Sequence, residues 1–111
     1  MYDLRVESKD IQQFEKMILI NILGVLNALE EQLITIEEAE KIIFTPYTID
    51  LLRSKKVSEE VLHVIYLGTE LEDIYSLMPN ELKDTLLEIK QLVLKLLQEK
   101  QEFKILDKAL R

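Results

Sequence analysis

Between Ile11 and Leu29 the apolar residues Ile11, Phe14, Ile18, Ile22, Val25 and Leu29 follow one another at intervals of 3, 4, 4, 3 and 4. That spacing puts them on one face of an α-helix. Met17, Leu19, Ile20, Leu23 and Leu26 widen the face until the segment is apolar around most of its circumference. A helix of this kind must be covered by neighbours on several sides. Membrane insertion is not the way it is covered: the apolar run Met17–Leu29 has 13 residues and contains Asn21, Gly24 and Asn27, whereas a bilayer span needs about 20 mostly apolar residues. The other residues of the 111-residue chain must therefore supply the cover.

They read as helices too. Thr35-Ile36-Glu37-Glu38 has the spacing of a capping box and predicts a helix over 36–44. Thr45-Pro46 opens another over 46–54, with the proline in the first turn, where its missing N–H does no harm. Ser58 begins a helix over 59–67, and Gly68 is expected beyond its end in the left-handed conformation. Thr69-Glu70-Leu71-Glu72 reads as a second capping box, opening a helix over 70–77 that Pro79-Asn80 stops. Leu71, Ile74 and Leu77 share a face of that segment. Ser8 or Asp10 caps the first helix, which runs over 11–31, and its Gly24 implies close approach of another helix.

From residue 81 onward nothing breaks the helix. Leu82, Leu86, Ile89, Val93, Leu96, Phe103 and Leu110 trace a heptad pattern interrupted by Lys100 and Asp107. Residues 81–111 as one helix would be about 46 Å long, against a body of roughly 35 Å for a chain of this size. The helix must then bend near 99–102, or its last turns project as an arm (about 99–111) and pack on another chain. Leu96, Phe103, Leu106 and Leu110 are the candidate oligomer face. The expected architecture is an all-α, single-domain helical bundle of five or six helices spanning 1–111, with residues 1–8 loose. Helix 11–31 pairs with helix 81–98, and the short helices lie across them. Two glycines and two prolines are too few for the turns of a β-sandwich or barrel.

The residues Gly24 to Leu29, Ile36-Glu37-Glu38-Ala39-Glu40, Phe44-x-Pro46 and Glu70-Leu71-Glu72-Asp73-Ile74-x-Ser76-Leu77-x-Pro79 resemble a family of uncharacterised small proteins of low-GC Gram-positive bacteria. The resemblance covers about residues 18–95. It implies a stand-alone bacterial cytoplasmic protein and transfers no catalytic or binding residue.

The residue inventory excludes much chemistry. Without cysteine there is no disulfide, thiolate metal site or thiol nucleophile. Gly24 and Gly68 are too far apart for a phosphate loop, a dinucleotide fingerprint or a nucleophile elbow. His63 is the only histidine; Glu60-x-x-His63 matches one half of a di-iron ligand set, but the second half is missing, so His63 is expected as an exposed helical residue and no metal or cofactor is expected. Glu70, Glu72, Asp73, Glu81 and Asp84 superficially resemble paired catalytic carboxylates, but so small a helical fold offers little cleft for them.

Charge points instead to surfaces. Residues 1–88 hold 18 acidic and 8 basic side chains, while residues 89–111 hold 3 and 6. An acidic chain of pI near 4.8 is poorly suited to nucleic acid. Secretion is not expected either, since Asp3 and Glu7 stand where a signal peptide needs basic residues. The reading that remains is a small acidic protein-interaction module of the cytoplasm, without catalysis. Its concrete form is an immunity- or antagonist-type binder of a basic protein, with Glu70 and Asp73 as candidate partner-binding residues. The alternative is a structural homodimer or adaptor assembled through the C-terminal heptads.

Overall fold

Side-chain caps set the starts of the short helices. Thr35 Oγ1 accepts the N–H of Glu38 at 3.1 Å and Glu38 Oε1 accepts the N–H of Thr35 at 2.9 Å, the reciprocal pair read from the sequence. Thr45 Oγ1 accepts the N–H of Thr48 at 2.9 Å, with Pro46 in the first turn behind it. Such caps satisfy amide donors that the helix cannot use itself, each contributing about 1 kcal/mol. The computed structural model describes residues 8–100, and no strand occurs among them. Helix α1 spans Ser8–Glu30, α2 Ile36–Ile42, α3 Pro46–Ser54, α4 Glu59–Thr69, α5 Leu71–Leu77 and α6 Leu82–Lys100, with a 3₁₀ turn at Pro79–Glu81. Four of these run nine residues or longer; α2 and α5 are seven-residue segments.

The expected pairing of the two long helices is present. α1 and α6 run antiparallel, pinned by Glu30–Lys90 at 3.0 Å near one end and Glu15–Lys100 at 2.8 Å near the other. Between and beneath them lies one apolar cluster to which every helix contributes. Leu19, Ile22 and Leu26 come from α1, Ala39 from α2, Leu52 from α3, Val61, Val64 and Ile65 from α4, Leu71 from α5, and Leu86, Ile89 and Val93 from α6. The heptad stripe of α6 is thus used within its own chain, with Leu82 and Leu96 half-buried on the same cluster.

The second ion pair is an internal knot. Glu15 is 2% exposed, and its carboxylate takes the Lys100 ammonium on Oε1 and the N–H of Ser58 on Oε2 at 2.6 Å. Lys100 also donates to Gln12 Oε1 at 2.9 Å. Ser58 caps α4. One side chain therefore ties α1, the start of α4 and the last residue of α6 together. α6 is continuous to Lys100, whereas most of the expected arm (101–111) and residues 1–7 lie outside the described residues.

Three glycine and cap expectations are corrected. Gly68 is not a left-handed terminator but a buried residue inside α4, and no glycine has positive φ. Its hydrogen leaves room for the Phe44 ring, which a methyl group at position 68 would strike. Thr69 does not build a second capping box, because it is the last residue of α4 and donates its hydroxyl to the Tyr66 carbonyl at 2.6 Å; Glu70 holds the N-cap position of α5 and makes no side-chain cap. Gly24 meets nothing: a Cβ there would have no atom within 4 Å. The left-handed positions are instead Gln32 and Lys56, with φ of 60° and 66°. At each, two backbone bonds close the helix end (Gln32 N–H to Leu29 and Leu33 N–H to Ala28; Lys56 N–H to Arg53 and Val57 N–H to Leu52), a Schellman arrangement built without glycine.

Two outcomes follow. Gly68→Ala lowers stability by about 1–3 kcal/mol in denaturant melts, since the added methyl group forces the Phe44 ring, 1% exposed in the core, to shift. Lys100→Met leaves a buried carboxylate with only an amide donor and costs about 3–5 kcal/mol, whereas the Glu15→Met/Lys100→Met pair costs much less than the sum of the single changes.

Candidate functional site

The contact between α2 and α5 gathers like charges. Glu37 and Glu40 on α2, and Glu72 and Asp73 on α5, form an acidic ridge in which the Glu40 carboxyl reaches hydrogen-bonding contact with Glu72. Burial, and then the Glu72 contact and the charges of Glu72, Glu37 and Asp73, push Glu40 above its usual carboxylate range. Glu37 has an exposed i,i+4 partner in Lys41 at 3.6 Å, but among the described residues no cation pairs with Glu40, Glu72 or Asp73. Glu72 is available for this contact because the capping task read for it is not performed.

Large apolar side chains flank the ridge. Tyr75 and Leu77 on α5, three and four residues beyond Glu72 and Asp73, are 59% and 76% exposed, and Ile42 on α2 is 59% exposed. The short helices hold their other sides in the core through Ala39 and Leu71. The ridge therefore presents anionic and apolar groups side by side on a fixed support.

The candidate residues divide as follows. Asp73 is exposed on the ridge. Glu70 is half-buried in the joint between α4 and α5, where it ends one helix and begins the next. Sequence reasoning missed Glu37, Glu40 and Glu72 as members of the same cluster, because only the packing of α2 on α5 brings the two acidic segments together. Leu96 packs half-buried on the core, and Phe103, Leu106 and Leu110 lie outside the described residues. Glu81 lies in the 3₁₀ turn and Asp84 in the first turn of α6, both exposed.

Two shallow grooves complete the surface. His63, exposed on α4 and stacked on Tyr66 at 6.4 Å between ring centroids, lines one of about 290 Å³ between α4 and α6, together with Glu59, Glu60, Lys95 and Glu99. No cluster of three or more potential metal ligands occurs among the described residues. The other groove, about 400 Å³, lies between α1 and α6 and is lined by Ile20, Leu23, Gly24, Asn27, Lys90 and Leu94. No described helix is long and apolar enough to cross a membrane.

Residues 9–110 match the family described as "Protein of unknown function (DUF3969)". The chain belongs to that family. The match extends beyond residues 18–95, the span of the motif resemblance, and takes in the C-terminal segment that those motifs leave out. Neither the search of curated proteins nor that of solved structures finds a match.

Glu40 makes the ridge measurable. Its folded-state carboxyl holds a proton more tightly than in the unfolded chain, so the fold loses stability as pH rises from the ordinary carboxylate range through the raised value. Glu40→Gln removes that loss. Its melting temperature exceeds the parent's near pH 7 by an amount worth less than about 1 kcal/mol, screened by solvent, and the gap closes by about pH 4. Thermal melts of both chains at the two pH values check this.

Proposed function

We propose that this protein is a non-catalytic interaction module that binds a basic protein through the α2/α5 ridge. The observation that carries the reading is the crowding of Glu37, Glu40, Glu72 and Asp73 into one ridge, where burial and then the neighbouring carboxylates raise Glu40. A cationic partner surface would relieve the repulsion among these carboxylates and supply the missing counter-charges. Long-range attraction would speed encounter, and the exposed Tyr75, Leu77 and Ile42 would add apolar contact once the surfaces meet. An immunity- or antagonist-type role, covering a basic effector in the cytoplasm of a bacterium, is the form that uses all of these features. A homodimer or adaptor built on the C-terminal heptads has less support, because Leu86, Ile89 and Val93 are consumed by the chain's own core.

The test begins with the full chain as bait in lysate at low and moderate salt. Any basic protein captured is then purified and titrated against the parent and against Glu72→Gln/Asp73→Asn. The expected result is affinity that falls with salt and drops about tenfold or more in the double variant, a loss of about 1.4 kcal/mol or more. Affinity indifferent to both salt and the variant would overturn the reading, as would the absence of any basic partner.

A further inference from the structure

The groove between α1 and α6 presents a different surface from the ridge. On α1, Lys16, Ile20, Gly24, Asn27 and Glu31 recur at steps of 4, 4, 3 and 4 and so share one face as it passes into the helix end. Ile20 is 53% exposed, across the groove on α6 Leu94 is 45% exposed, and Leu87, seven residues before Leu94 on the same helix, is 48% exposed. The one charge lining the groove, Lys90, is already paired with Glu30 at 3.0 Å. From Met17 to Leu29 the helix carries no charge at all. In a chain of net charge −7 this is where two copies can meet without facing like charges.

The register of the charges at its ends indicates the occupant. Lys16 and Glu31 stand eight and seven residues on either side of Gly24, and neither has an ion-pair partner among the described residues. If a second α1 crosses the first antiparallel at Gly24, Lys16 of each copy comes beside Glu31 of the other. The two-fold symmetry makes both pairs at once. Gly24, with open space where a Cβ would stand, lets the helix backbones approach at the crossing. We infer that the α1 face centred on Gly24 is a self-association surface whose occupant is the same face of a second copy, in antiparallel register with two Lys16–Glu31 pairs at its edges. This surface shares no residue with the acidic ridge, so the two proposals stand or fall separately.

Sedimentation analysis of the full chain over micromolar to millimolar concentration tests the inference. The parent is expected to dimerise reversibly, and Gly24→Arg to be monomeric with unchanged helical circular dichroism. Lys16→Glu and Glu31→Lys should each weaken the dimer by about tenfold. The second does so although it lowers the net negative charge. The combined swap Lys16→Glu/Glu31→Lys should return the dissociation constant to within about threefold of the parent. A parent that stays monomeric throughout overturns the inference, as does a dimer that survives Gly24→Arg. A combined swap that fails to rescue overturns the register.

Discussion

A single carboxylate on the buried face of the first helix determines how the ends of this fold meet. An ionised group removed from water is tolerable only if donors replace the lost solvent. Glu15 receives an ammonium from the end of α6 and an amide N–H from the start of α4. The apolar cluster alone would accept several ways of sliding α6 along α1, since greasy surfaces are weakly directional. With Glu15 in place, a slip of one turn would strand both a buried anion and Lys100. The knot therefore specifies register, while the bulk of the favourable free energy comes from Leu19, Ile22, Leu26, Ile89, Val93 and their neighbours.

With register set this way, the short helices are free to serve the surface. α2 and α5 each bury one side chain fully, Ala39 and Leu71, with Ile36 half-buried on the same core, and expose most of their other residues. The result is a division of labour: an anionic ridge on the short helices, and along the two long ones a groove whose one charge, Lys90, is already paired. A small bundle can sustain both because its core draws a little from every element and does not depend heavily on any short one.

Most of the architecture was legible from periodicity and caps. Ile22 and its neighbours at helical steps lie where the pattern puts them, and Thr35 with Glu38 forms the box that their spacing announces. What escaped depended on partners distant in sequence. Gly68 carries the same letter whether it ends a helix or makes room for a ring, and only the position of Phe44 decides. Gln32 and Lys56 occupy left-handed positions for which glycine is the usual signal, so their helix ends passed without a mark. The knot did leave a trace: Glu15 interrupts the apolar face seven residues before Ile22, and Lys100 continues the α6 stripe Ile89, Val93, Leu96 at a step of four. A lone acid on one apolar face and a lone base on another are a pairing signal when the two helices are expected to pack. The ridge was half visible, since Asp73 was in view but its α2 neighbours could not be connected to it without the fold.

The pairing of α1 with α6 also has a consequence for biosynthesis. The greasiest segment of the molecule is made before the helix that shields it, which follows only after residues 31–81 have been made. During that interval α1 can find only partial shelter against α2 and α4. Its adhesive flank is exposed to chaperones and to other nascent chains until Lys100 arrives to neutralise Glu15. Completion of the fold is thus tied to late arrival of the last turn of α6, and a ribosome that stalls before that point would release a sticky fragment rather than a smaller working protein.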